Sequence, residues 1–341
     1  MAFFDIYSIY QDPFLTNFSV GFSDQTLIGD AIAPMTDVYL PSGKYRVYDR
    51  SNWISYPDGR DPGTVANEIR GAKWGQDTYA VHEHSLQAAV TDEEREVYSN
   101  ALQNAQANIY AQISPEMDAT NLATRSLLLG YENYVATTVR NPSNYPSTNK
   151  TYLTGTSQWS DYTLVSSPTD AYQTVSDPVN DILTARRQIF RQTRKDPNLL
   201  IIPWNVWSFI PNHPRIVRRF TYFNLADPQA FATLAGFNGR VVIAESVINT
   251  ADNIDATNSI SPIWGNDVIM AYVDDANALN SMTFAKTFVW PYPDGNRRTV
   301  DRWREESRKS DLVRVSQRYD IKVVAPACGY LIQNATSLVG A

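Results

Sequence analysis

The chain has 341 residues, of which 43% are hydrophobic, 12% aromatic and 19% charged, with a formal net charge of −7. That balance excludes a wholly disordered, collagen-like or coiled-coil chain, and the length suits roughly two domains at about 150 residues each. A single cysteine, Cys328, excludes a disulfide framework and a Cys-rich zinc module and fits a reducing compartment, while no run of about 18 apolar residues offers a membrane span.

The opening stretch MAFFDIYSIYQDPF is aromatic, lacks a basic segment and carries Asp5, Gln11 and Asp12, so it is not a secretory signal and cytoplasmic synthesis is expected. Residues 1–37 read as an irregular arm. Val38, Leu40, Tyr45 and Val47 then alternate around Pro41-Ser42-Gly43, which predicts a strand over 38–49. Turn chemistry is dense at Asp58-Gly59-Arg60-Asp61-Pro62-Gly63, and Gly71 and Gly75 prolong the irregularity until Thr78-Tyr79-Ala80-Val81 resumes an extended pattern. The two runs read as the legs of one long hairpin. About 18 residues per leg at roughly 3.3 Å each reach on the order of 60 Å. A unit of this size has a radius of gyration of about 20 Å. The hairpin is therefore expected to project, and since a lone hairpin is marginal in water, to rest on a neighbouring copy.

From Thr91 the run TDEEREVYSNALQNAQANIYAQI suits a helix, with Thr91 as N-cap and Asp92, Glu93 and Glu94 favoured by the dipole of the first turn. A second helix opens at Ser114-Pro115-Glu116 and spans 116–139, its apolar face running Leu128, Tyr131, Val135 and Val139. Such a helix is about 36 Å long. Residues 141–178, rich in Ser, Thr, Asn, Pro and Tyr, read as a long connection between domains, of the kind that contacts something else or forms an irregular hairpin.

Asp177-Pro178 opens a third helix with Val179, Ile182, Leu183, Ile189 and Phe190 inward, and Arg191, Arg194 and Lys195 near its end. Leu199-Leu200-Ile201-Ile202 reads as a strand covered on both faces, followed by a short helix over 204–210. A further helix near 228–235, strands near 240–248 and 266–274, and extended runs near 284–290 and 311–333 complete an α+β plan.

Chemistry-bearing patterns are sparse. There is no G-x-S-x-G elbow, phosphate-binding loop or dinucleotide fingerprint. His82 and His84 would share one face of a strand and could chelate a metal with Glu83, but no third ligand follows at metal spacing. His213 reads as a turn residue and Cys328 as a buried small residue. Glu93 with Glu94, and Glu305 with Glu306, point apart on either element and read as surface charge. No catalytic, cofactor-binding or metal-ligating residue is assigned. Residues 1–180 hold 10 basic and 21 acidic residues, whereas residues 181–341 hold 19 and 15. Opposite signs on two parts of one chain suit self-association as well as a plain solvated surface. The basic run Arg297 to Lys322 is interleaved with Asp301, Glu305, Glu306 and Asp311 and reads as ion-pair lacing between subunits rather than sequence-reading nucleic-acid recognition.

The ordered set IAPMTDVYLPSGKYRVYDRSNW (32–53), DPGTVANEI (61–69), DPNLLIIPWNVWSFIPNHPRIVRRFTY (196–222), IWGNDVIMAYV (263–273) and YDIKVVAPACGYLIQNA (319–335) resembles tailed-phage major capsid proteins of the Hong Kong 97 fold. The resemblance covers roughly 30–335. It implies an α+β capsid fold with residues 1–37 as N-terminal arm, 38–90 as extended loop and 91–177 as spine helix, peripheral segment and linker. Residues 178–275 would be the axial domain and 276–341 the peripheral-domain strands and C-terminus.

It further implies a non-enzymatic subunit that closes into pentamers and hexamers, then into an icosahedral head around double-stranded DNA held by non-specific contact. The partners implied are the chain itself, a portal protein and a decoration protein. No segment precedes the arm that could serve as an internal scaffold, so a separate scaffold or none is expected. The location implied is the virion, after synthesis in a bacterial cytoplasm. Some relatives cross-link a loop lysine to a neighbour's asparagine beside a buried glutamate; Lys44 and Lys73 lie in the matching loop, but nothing local marks the other two residues. The alternatives are an encapsulin-like compartment shell and a hydrolase with a motif-free site.

Overall fold

Two β-sheets packed against one long helix carry the fold. The computed structural model describes residues 10–22, 24, 26–48, 59–65, 74–103, 114–166, 173–218, 227–249, 260–274 and 282–337. The chain enters through β1 (Tyr10–Gln11) and α1 (Pro13–Gly21), where Asp12 caps the helix by accepting from the Phe14 and Leu15 amides. After α2 (Gly29–Ile32) and β2 (Met35–Asp37), the Val38 amide donates to Val289 O, so the strand expected over 38–49 is broken at Tyr39-Leu40. Pairing resumes in β3 (Ser42–Tyr48) and β4 (Trp74–Ala80), an antiparallel hairpin from Ser42↔Ala80 to Tyr48↔Trp74. Residues 49–58 and 66–73 of the expected hairpin lie outside the described residues.

The descending leg then leaves the hairpin. β5 (His82–Thr91) pairs along its length with residues 310–319 of the first sheet. α3 (Asp92–Gln103) follows with the expected cap as a reciprocal box: Thr91 Oγ1 accepts from the Glu94 amide at 3.3 Å and Glu94 Oε2 from the Thr91 amide at 3.0 Å. α4 (Pro115–Arg140) is capped by Ser114 and buries Ala123, Leu127, Tyr131, Val135 and Val139. Leu127, and not the expected Leu128, lies on the stripe, because the first half of α4 is covered by α1 and the first sheet, through Leu15, Val300, Val313 and Val315.

The polar stretch 141–178 packs on the body, and part of it forms an irregular hairpin, one of the two forms its composition allowed. Tyr145 and Trp159 are buried, the Tyr145 hydroxyl donates to Val139 O and the Trp159 indole to Asp181. β6 (Lys150–Tyr152) pairs in parallel with residues 331–333, and Leu164 bridges Thr174 in an irregular hairpin. Its few large side chains and its backbone pairing, which average polarity conceals, tie it to the second sheet.

α5 (Pro178–Thr193) is capped by Asp177 and ends on Arg194 at φ 57°. Val179, Ile182 and Ile189 face inward as expected, but Phe190 is 49% exposed. β7 (Leu199–Pro203) is buried throughout because the second sheet is covered on both faces: Leu199 and Ile201 enter the core under α4, Leu200 and Ile202 the core under α5. α6 (Trp204–Trp207), α7 (Pro214–Val217) and α8 (Pro228–Leu234) lead to β8 (Arg240–Ala244), the small pair β9 (Val247–Asn249) and β10 (Ile260–Pro262), and β11 (Val268–Ala271). β12 (Ala285–Val289), β13 (Arg298–Glu305), β14 (Ser310–Val323) and β15 (Gly329–Gln333) complete the chain. The first sheet runs β1-β13-β14-β12-β2 with β5 also on β14; the second runs β6-β15-β11-β7-β8.

One buried carboxylate joins α2, α4 and the turn that leads into β11. Glu132, on the inner face of α4, is fully buried and accepts from the Ile28 amide at 3.1 Å, the Gly29 amide at 2.6 Å and the Trp264 indole at 2.7 Å. Burial raises its pKa, and these three donors oppose the shift. Glu132→Ala would strand those donors in the core, so a loss of about 3 kcal/mol is expected in chemical denaturation, with a smaller loss for Glu132→Gln, which keeps one acceptor.

Candidate assembly surfaces

His84, His213 and Cys328 are absorbed by the fold, while His82 is exposed on β5. His84 stacks on Tyr319 with ring centres 4.1 Å apart, and burial lowers its pKa. Glu83 points away from this ring and pairs with Arg318 at 3.0 Å, so the three residues do not form a ligand set. Among the described residues no group of three or more His, Cys, Asp or Glu could hold a metal ion. The expected turn residue His213 is fully buried, with Nε2 3.2 Å from Ser176 Oγ and its ring edge-on to Tyr162. Burial pushes its pKa down to about 4. Cys328 is buried and its thiol is pushed up to about 12, which removes thiolate reactivity. Lys44 is exposed on β3, and Lys73 lies outside the described residues. The buried glutamate Glu132, unmarked by any motif, spends its oxygens on the three donors named above.

What the chain presents outward is the hairpin. Its base is clamped to the body: Tyr45 from one leg and Tyr79 from the other lie over Phe288 of β12, with ring centres 5.1 and 4.7 Å away. The Tyr45 hydroxyl donates to Asp77 at 2.9 Å, and the Ala80 amide donates to Asp320 at 2.9 Å. Gly43 is required there, since a Cβ would lie 2.7 Å from the Tyr79 hydroxyl oxygen. Beyond the clamp, among the described residues, the ribbon is uncovered: residues 75–78 and the turn segment 59–65 are exposed, Val65 to 94%, and Tyr39 at the root is 97% exposed. β5 adds a ten-residue strand whose one partner among the described residues is β14.

No protein-family profile matches the chain. It is 22% identical over 322 residues to the major capsid protein of Burkholderia phage BcepMu, covering 94% of this chain and 95% of that protein. It is 25% identical over 334 residues to the major capsid protein of Pseudomonas phage JBD67, covering 96% and 97%. The chain is thus similar over nearly its whole length to two phage major capsid proteins. Its fold is similar to that of a phage-related protein from Bordetella bronchiseptica RB50, at TM-score 0.71 and 23% identity over 96% of this chain and 98% of that one. It is also similar to the capsid subunit of a native GTA particle, at TM-score 0.56 and 14% identity over 93% and 92%.

The lacing expected between subunits lies within the chain. β13 and β14 form one antiparallel hairpin, and Arg95, Arg302 and Arg304 converge on the nearly buried Asp311. Burial alone would raise the Asp311 pKa, yet hydrogen bonds from Arg95 and Arg302 hold it below the usual range. Arg304 also pairs with Asp92, and Arg314 with Asp301. Side chains at paired positions of neighbouring strands meet first, which leaves few of these cations for another molecule.

Two outcomes follow. Phe288→Ala removes the floor of the hairpin clamp, so a loss of about 3–5 kcal/mol in denaturation is expected, with earlier proteolytic cleavage of the hairpin. The second concerns pH: the fold keeps His213 neutral while the unfolded chain takes a proton near pH 6.5. Its stabilising contribution is therefore complete above about pH 6.5 and is lost as the pH falls to about 4, by up to about 3 kcal/mol. Asp181, raised to about 6 by burial, slopes the other way in an overlapping window. The difference between wild type and His213→Gln, followed by denaturation midpoint against pH, isolates the histidine and is expected to shrink as the pH falls through that window.

Proposed function

We propose that this chain is the major subunit of a tailed-phage head, closing into pentamers and hexamers and then into an icosahedral shell around double-stranded DNA. The observation that carries the reading is the nearly end-to-end relationship to two phage major capsid proteins. The hairpin supports it, being clamped at its base and uncovered beyond, as an element that rests on a neighbouring copy would be.

In this Hong Kong 97-type reading, residues 1–37 are the N-terminal arm and β3–β4 the core of the extended loop of 38–90. α4 is the spine helix, 178–275 the axial domain, and 276–341 with the spine helix the peripheral domain. The working surface is the set of contacts between copies, and no residue acts as a catalyst. Packaged DNA meets the shell through non-specific contacts, a portal protein and a decoration protein join it, and a separate scaffold or none guides assembly. The subunit is made in the host cytoplasm and ends in the virion. The compartment-shell and hydrolase alternatives are not favoured, because both curated relatives are phage capsid proteins and His84 is committed to its stack on Tyr319.

The test is expression of the full chain, alone and with scaffold candidates, followed by light scattering and negative-stain electron microscopy. Pentamers, hexamers or closed shells are expected. A protein that stays monomeric under every condition would overturn the reading, and particles containing an enzyme cargo in place of DNA would favour the compartment shell.

A further inference from the structure

Most arginines described here are committed to acids of their own chain: Arg95, Arg140, Arg186, Arg215, Arg302 and Arg314 each pair with a carboxylate. Arg187, Arg191 and Arg194 are different. They are exposed, and none of their side chains meets a carboxylate among the described residues. Arg187 and Arg191, four apart, share one face of α5, and Arg194, its left-handed cap, follows about one turn further on, so the three span about 10 Å along the axis. Phe190, 49% exposed, stands on the same face.

A matching surface of opposite sign lies beside the first sheet. Glu93 and Glu96 of α3 are exposed and without a cationic partner among the described residues, and Val97, one turn on from Glu93, is 59% exposed. The adjoining face of α4 adds exposed Asp118 and Leu122, the latter 65% exposed. A groove of about 420 Å³, lined by Ala88, Ala89, Val90, Glu94, Asp118 and Leu122, runs between these helices and β5. Glu93 also lies in the first turn of α3 and Arg191 in the last turn of α5, the ends their helix dipoles favour.

Resting on the shell-subunit reading, we infer that the α5 face of one copy docks on the α3–α4 face of the next, a head-to-tail contact of the kind that closes rings. Three cations meet three carboxylates, Glu93, Glu96 and Asp118, while Phe190 is received among Val97, Leu122 and the groove. Unlike faces on one chain make a heterologous contact, which closes when the rotation between copies permits. The arginines alone would also suit a phosphate backbone, but such a partner has no use for a half-exposed phenyl ring set among them. The apolar centre with a charged rim is the composition of a protein contact.

The test is a charge swap in the full-length protein. Arg187→Glu/Arg191→Glu/Arg194→Glu and Glu93→Lys/Glu96→Lys/Asp118→Lys are expected each to lower the yield of sedimenting particles about tenfold, while the combined six-fold variant recovers most of it. Circular dichroism and thermal midpoint check that each chain folds. Should a triple variant fail that check, Phe190→Ser alone reads the same contact through its apolar centre and is expected to reduce yield. Unchanged assembly in both triple variants, or loss without recovery in the combined one, would overturn the contact. Normal shells that retain less DNA in the arginine variant would reassign the face to polyanion binding. A wild-type protein that never assembles would instead sink the shell reading, and the contact with it.

Discussion

A two-stranded ribbon buries too little to hold its own shape in water, and this constraint governs the whole subunit. Among the described residues the body covers the root of the hairpin, where Tyr45 and Tyr79 close over Phe288. Phe288 belongs to β12, and β12 lies against β14, the strand that also carries β5 and faces α4. The ribbon is thus clamped to the most heavily packed part of the chain while its outer surface stays open. Rigid fixation at one end and exposure beyond it favour a function in which another molecule completes the packing.

The same division runs through the polar groups. Several charges of the body are paired: Glu132 takes three donors, Asp311 takes its arginines, and Arg318 lies over the rings of Trp290 and Tyr292 while pairing with Glu83. Desolvated charges need such partners, and most of these join strands that are neighbours in a sheet. Among the described residues, the charges left without a partner include those on the outer faces of α3, α4 and α5. Subunits that must assemble on demand require this economy, since unpaired charge inside would weaken the fold and fully paired charge outside would leave nothing to steer association.

Helix boundaries were legible because caps act locally: Thr91, Ser114 and Asp177 each stand within three residues of the amide they satisfy. β7 was equally plain, four aliphatic residues in a row being tolerable only in a strand covered twice. β13 escaped notice because Arg298 to Glu305 alternates charge with few apolar residues, and only its pairing with β14 explains it. The stretch 141–178, expected either to contact something else or to form an irregular hairpin, hides under its polarity Tyr145, Leu153 and Trp159, each buried by elements far away in sequence. The assembly surfaces were half visible. The hairpin could be seen from turn residues and alternation, whereas Glu132 could not be told from any other helical glutamate until the arm and Trp264 closed over it.

By itself the amino-acid order determined whatever depends on near neighbours: where helices begin, where strands alternate, that the chain is rich in extended and aromatic segments, and that its acids gather early and its bases late. Tertiary structure alone decided which charges cancel and which remain, because pairing depends on distances between residues such as Arg95 and Asp311, or Arg304 and Asp92, that are brought together only when the sheets close. It also decided where the hairpin is anchored. An aromatic stack needs three rings from separate elements, and no local pattern around Tyr45, Tyr79 or Phe288 specifies that they meet.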